Sequence, residues 1–63
     1  MITTEFFKTL KAAEEFKPIC NAKYIFSLDK RGTVTEFKMW LNDAIASDRQ
    51  GINGVRAVVV MYR

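Results

Sequence analysis

Residues 33–41 read TVTEFKMWL, and this stretch decides the fold because its pattern fits two kinds of secondary structure. As a helix, it opens on a capping box of Thr33 and Glu36. Its apolar side chains then recur at helical spacing, at Phe37, Trp40, Leu41, Ala44 and Ile45. As a strand, residues 33–38 alternate from one face to the other and begin with a β-branched run. The two interpretations predict different sheets.

The number of strands elsewhere in the chain favours the strand interpretation. If the whole segment is helical, only two strands remain, and a two-stranded sheet is marginal in water. We therefore predict a strand over residues 33–38 and a helix that starts at Met39 or Trp40 and runs to Gln50, with Gly51 as its left-handed stop. The alternative is one long helix over residues 33–50, which gives the order α-β-α-β.

Two further strands flank this segment. Residues 22–28 alternate with the period of a strand that packs on one face. Residues 29–32, Asp-Lys-Arg-Gly, have the chemistry of a tight hairpin turn. Residues 55–62 are β-branched and apolar on both faces, which is typical of a strand that is covered on both sides or keeps one side for a partner.

The N-terminal segment is predicted to be helical over residues 4–17. Thr3 is the expected N-cap, and Pro18 disfavours helical geometry at the preceding residue. The pattern rests on apolar residues at helical spacing, namely Ile2, Phe6, Leu10, Ala13 and Phe16.

Together these segments predict a small α+β fold, with residues 1–63 forming one domain in the order α-β-β-α-β. The three-stranded antiparallel sheet has the order 2-1-3, because the hairpin pairs the first two strands and the last strand lies on the far side of the first. Both helices are expected on one face of the sheet. The other face would then present an apolar surface.

A chain of 63 residues buries a small core and usually needs extra stabilisation. A disulfide is excluded by the single cysteine, Cys20, and a closed zinc site is disfavoured because the chain has no histidine. Two routes stay open, self-association and a well-packed aromatic core. The aromatic residues are Phe6, Phe7, Phe16, Tyr24, Phe26, Phe37, Trp40 and Tyr62.

Charge and hydropathy set the expected environment of the protein. The net charge is +3 and is spread evenly between the two halves of the sequence, which permits a polyanionic partner without requiring one. We expect a cytoplasmic protein, because no signal segment opens the chain and no apolar run is long enough to span a bilayer.

The chain lacks the parts of common catalytic sites. Without histidine there is no Ser-His or Cys-His pair, and Cys20 fits a buried structural thiol. The three glycines are too widely spaced to form a phosphate-binding loop. We therefore predict no enzyme, no metal, no cofactor and no small-molecule substrate.

The first functional hypothesis is a small regulatory or inhibitory module that binds a protein, with a homodimer as one form of that association. Small folded proteins without an enzymatic signature are associated with such roles, and with bacterial or phage genomes. The predicted surface is the apolar sheet face with its last strand, made of Ile25, Val58, Val60 and Tyr62.

The second hypothesis is a nucleic-acid-binding protein. In this interpretation the predicted hairpin tip and the last strand contact phosphates. The residues assigned to that role are Lys30, Arg31, Lys38, Arg56 and Arg63.

Overall fold

The computed structural model of the protein describes residues 1–19, 22–47 and 54–62. Within them the strands are β1 (Ile2–Phe7), β2 (Lys23–Ser27) and β3 (Ala57–Tyr62), and the helices are α1 (Leu10–Glu15) and α2 (Val34–Ser47). The sheet has the order β1-β3-β2, and both outer strands run antiparallel to β3. The predicted α+β class, with a three-stranded antiparallel sheet and two helices, is confirmed.

The two helices cover opposite faces of the sheet. On the face that we call the α1 face, Ala13 of α1 packs with alternate residues of β3, including Val59. On the other, the α2 face, Phe37 of α2 packs on Val58 and Val60. The prediction that both helices share one face is therefore wrong, and the apolar character of β3 on both sides reflects burial on both sides.

The predicted helix over residues 4–17 is wrong in its first part. Residues 2–7 form β1, and the helix is confined to Leu10–Glu15. Its N-cap is Thr9 and not Thr3, because the Thr9 hydroxyl accepts a hydrogen bond from the backbone N–H of Ala12 at 3.1 Å. β1 is rich in β-branched and aromatic residues, and it supplies the third strand that the sheet needs.

The predicted strand over residues 33–38 is also wrong, because α2 begins at Val34 and continues through Ser47. The alternative of a helix through this segment is the correct one as far as Ser47. The argument from strand number failed because the third strand comes from the N-terminus. The proposed stop at Gly51 lies outside the described residues.

The other two predicted strands are confirmed with small changes at their ends. β2 pairs with β3 as expected, with Ile25 opposite Val59. Residues 29–32 form the turn from β2 into α2 and not a hairpin. Gly32 has a φ of 88°, a left-handed conformation that favours glycine at this position.

Candidate functional site

The four residues predicted to form a protein-binding surface do not share one exposed face. Val58 and Val60 are fully buried beneath α2. Ile25 packs in the core of the opposite, α1 face. Only Tyr62 among the four is exposed, at 44%. This surface assignment is wrong because α2 covers the face that was expected to be open.

In the part of the chain that the structure describes, no turn or loop forms a backbone hydrogen bond with the outer edge of β1. The N–H of Tyr62 donates to the carbonyl of Ala22, which shows with the register of the two strands that even-numbered residues of β3 bond to β2. Arg56, just before β3, bonds to both outer strands, because its carbonyl accepts from the N–H of Leu28 and its N–H donates to the carbonyl of Phe7. By the alternation of an antiparallel ladder, the odd-numbered residues of β3 bond to Thr3, Glu5 and Phe7 of β1. The remaining residues of β1 are Ile2, Thr4 and Phe6. Their backbone N–H and C=O groups point outward, away from β3.

This outer edge, which we call the β1 edge, is also uncovered by α2. No Cα of α2 lies within 8 Å of a Cα of β1, and the contact of β1 with this side of the core is made by Phe6, which is partly buried against the cluster of Phe37, Val58 and Val60. Ile2 is 54% exposed although it pairs with Tyr62 within the sheet. A shelf of Ile2, Thr4 and Phe6 therefore borders the β1 edge on the α2 face, with Ile2 exposed and Thr4 and Phe6 partly buried.

The outer edge of β2 is blocked along its C-terminal half. In β2 the odd-numbered residues direct their backbone N–H and C=O groups outward, away from β3. One of these groups, the N–H of Ser27, donates to the hydroxyl of Thr33 at 3.1 Å. The same hydroxyl lies 3.2 Å from the carbonyl oxygen of Ser27. The ammonium group of Lys30 donates to the outward carbonyl of Ile25 at 3.4 Å. Blocking an edge strand with a lysine and a covering loop is a common protection against unwanted pairing.

A second exposed feature lies at the end of the sheet where β1 and β2 finish and β3 starts. Because both outer strands are antiparallel to β3, Phe7 and Ser27 both pair with Ala57. The segments that follow these strands therefore meet beside Arg56, and both helices start there. We call this region the basic end. Its charged residues are Lys8, Lys11, Asp29, Lys30, Arg31, Glu36, Lys38 and Arg56.

An ion pair organises part of the basic end. The guanidinium of Arg56 donates two hydrogen bonds to the carboxylate of Asp29, at 2.9 and 2.8 Å. These hydrogen bonds and the positive charge of Arg56 hold the pKa of Asp29 below its usual value. The pair is exposed to solvent, so its contribution to stability is reduced by screening.

The predicted nucleic-acid-binding residues are partly brought together. Lys30, Arg31 and Arg56 lie at the basic end, and Lys38 is exposed on the second turn of α2. Arg63 lies outside the described residues. Lys8 and Lys11 were not in the predicted set. Placing them at the basic end requires that residues 2–7 be recognised as a strand and that the helix start at Leu10.

The exposed tyrosines lie at the opposite end of the sheet. Tyr24 and Tyr62 are in an edge-to-face contact with ring centroids 5.5 Å apart. Tyr24 is near the start of β2 and Tyr62 is at the end of β3, so both are distant from the basic end.

Across residues 1–19, 22–47 and 54–62, no three His, Cys, Asp or Glu residues are grouped so that they could hold a metal ion. In the same ranges no helix combines the length and the apolar character needed to cross a membrane. No protein-family model matches the chain, and no curated protein or solved structure matches it either.

Proposed function

We propose that this protein is a small non-enzymatic regulatory or inhibitory module that binds another protein chain by strand addition at the β1 edge. The observation that carries the proposal is the contrast between the two edges of one sheet. The C-terminal half of the β2 edge is closed by Thr33 and Lys30, whereas the β1 edge directs the backbone groups of Ile2, Thr4 and Phe6 outward. An open edge strand is a template for pairing with an extended segment.

The surroundings of the β1 edge support an apolar segment as the partner. An added strand would place alternate side chains beside Ile2, Thr4 and Phe6, where Ile2 is 54% exposed and Phe6 is partly buried against the core. Backbone pairing provides affinity in this mode of recognition, and the shelf provides selectivity for apolar side chains. The absence of histidine in the sequence is the basis for the non-enzymatic part of the proposal.

A second copy of the chain can occupy the same edge. In an antiparallel two-fold arrangement centred on Thr4, Ile2 lies opposite Phe6 of the other copy and Thr4 lies opposite its equivalent. Glu5 then lies opposite a threonine and not opposite another glutamate, which avoids direct repulsion across the strands. A homodimer through β1 would join two three-stranded sheets into one of six strands.

Proline substitution tests the β1 edge. Thr4→Pro removes an outward N–H without removing a hydrogen bond to β3, so the fold should persist while pairing at this edge is lost. Lys23→Pro is the matched control, because Lys23 also directs its N–H outward, from β2. Both variants are first checked by circular dichroism for retention of the native fold.

Two measurements on these variants separate the possible partners. Affinity capture should recover a protein partner with the wild type and with Lys23→Pro, and lose it with Thr4→Pro. Light scattering over a range of concentrations reports whether a second copy competes for the edge. A folded Thr4→Pro variant that captures and associates as the wild type does would contradict the proposal.

A further inference from the structure

We infer that the basic end binds the phosphate backbone of double-stranded nucleic acid, as an activity separate from strand addition at β1. The inference starts from the way the fold redistributes charge. The basic end holds six of the ten cationic side chains and the carboxylates of Asp29 and Glu36, and two further glutamates, Glu14 and Glu15, follow Lys11 by about one turn of α1. A chain whose charge is even along the sequence therefore becomes strongly positive at one end of the sheet.

Most of the cationic side chains of the basic end are not engaged by neighbouring groups of the described chain and are available to contact phosphate. Arg56 is held by Asp29, and the ammonium group of Lys30 is held by the carbonyl of Ile25. Four other cations, Lys8, Lys11, Arg31 and Lys38, are exposed and form no ion pair with any residue in the described part of the chain. Since Asp29 is engaged by Arg56, Glu36 is the one remaining carboxylate in the defined set.

The fold also directs the start of α2 toward the basic end. The first residues of this helix follow Arg31 and Gly32, and the dipole of a helix of this length adds positive potential at its N-terminus. The potential of the helix and of the four exposed cations has the same sign. The carboxylates nearest to these cations along the helices are Glu36, in the first turn of α2, and Glu14 and Glu15 of α1.

The chemistry of the basic end indicates phosphate contacts and not base contacts. Proteins that bind single strands combine cations with aromatic side chains on which bases stack. Here the exposed aromatic residues, Tyr24 and Tyr62, lie at the other end of the sheet. Lysine and arginine without a stacking platform suit the regular phosphates of a duplex, and such binding has no strong sequence preference.

The test is fluorescence anisotropy with a labelled DNA duplex of mixed sequence, titrated over a series of salt concentrations. For wild-type protein, the logarithm of the binding constant should fall linearly with the logarithm of salt concentration. About four phosphate contacts give a slope of about −3 to −4. Absence of duplex binding at low salt would overturn the inference.

Two double variants with the same net charge provide the control. Arg31→Gln/Lys38→Gln removes two cations of the basic end, and it should reduce the magnitude of the salt slope by about two. Lys17→Gln/Lys23→Gln removes two cations from the opposite end, where the side chain of Lys23 contacts the carbonyl of Phe16, and it should leave the slope nearly unchanged. Equal weakening by both variants would mean that total charge, and not the basic end, governs binding.

Two further probes identify the class of polyanion. A single-stranded oligonucleotide of the same sequence should bind more weakly than the duplex, and vesicles that contain anionic lipid should bind no more tightly than the duplex. Tighter binding to the single strand or to the vesicles would overturn the assignment to a duplex. Thr4→Pro should bind the duplex as the wild type does, since the two surfaces are separate.

Discussion

Ser27 links three parts of the chain although it lies at the end of an edge strand. Its side chain is fully buried, donates a hydrogen bond to the carbonyl of Arg56 at 2.7 Å, and accepts one from the N–H of Asp29 at 3.0 Å. Its backbone N–H is bound by Thr33. One small polar residue therefore joins β2, the start of β3 and the turn that leads into α2.

Replacement of Ser27 by alanine should lower the free energy of unfolding by about 1–3 kcal/mol, because it leaves the N–H of Asp29 without its partner in a partly buried position. In a domain of this size, each kcal/mol corresponds to a fall in the melting temperature of about 4–8 °C. Thermal unfolding followed by circular dichroism measures the change. Thr35→Ala, at an exposed position of α2, is the control and should change stability by less than about 0.5 kcal/mol.

The ion pair of Asp29 and Arg56 predicts a dependence of stability on pH. The pKa of Asp29 is lowered below its ordinary value of 3.8 in the folded protein by its hydrogen bonds to Arg56. The pair therefore stabilises the folded state above the unfolded pKa, and this contribution is lost as the pH falls through the lowered folded pKa.

The comparison of wild type with Asp29→Asn measures this contribution. The wild type should be more stable at neutral pH, and the difference in the free energy of unfolding should shrink once the pH falls below about 4. Chemical denaturation at a series of pH values gives both free energies. A difference that stays constant from neutral pH to pH values well below 3.8 would show that the pair does not act in this way.

The helical state of residues 34–47 makes a prediction at the scale of one element. In a strand, Phe37 and Met39 would share a face, but in α2 they lie on nearly opposite sides. Phe37 is fully buried and Met39 is 63% exposed. Phe37→Ala should therefore cost about 3–5 kcal/mol and Met39→Ala less than about 1 kcal/mol. Similar losses for the two variants in urea denaturation would favour the strand.

The elements that sequence analysis predicted correctly are those whose pattern fits a single period. Residues 22–28 alternate and residues 58–60 are a run of valines, and the structure has β2 and β3 at these places. The N-terminal segment misled because Ile2, Phe6 and Leu10 are four residues apart, and a spacing of four returns to the same face of a strand as well as of a helix. The β-branched pair Thr3 and Thr4 was the signal that favoured a strand.

The candidate surfaces were less predictable because they depend on how the elements are arranged. Val58 and Val60 were correctly identified as strongly apolar, but their burial depends on α2 crossing that face. The basic end depends on β1 and β2 ending beside the same point of β3, which places Lys8 and the turn that contains Arg31 at the same end of the sheet. No local pattern in the sequence contains this information.

At the scale of the whole molecule, the two proposed surfaces are separate. The β1 edge runs along one side of the sheet, and the basic end lies where β3 begins. Both faces of the sheet are used for the core of the monomer, so the parts of the sheet itself that a partner can reach are its edges and ends. A protein segment and a duplex could therefore be bound at the same time.

The central claim is that β1 offers an open edge and β2 does not, and amide hydrogen exchange measured by NMR tests it most directly. In the free protein, the outward amide of Thr4 should exchange much faster than its inward neighbours Thr3 and Glu5, while the outward amide of Ser27 should be protected by Thr33. Binding of the captured partner should then slow the exchange of Thr4. Slow exchange of Thr4 in the dilute monomer, or unchanged exchange in the complex, would contradict the account.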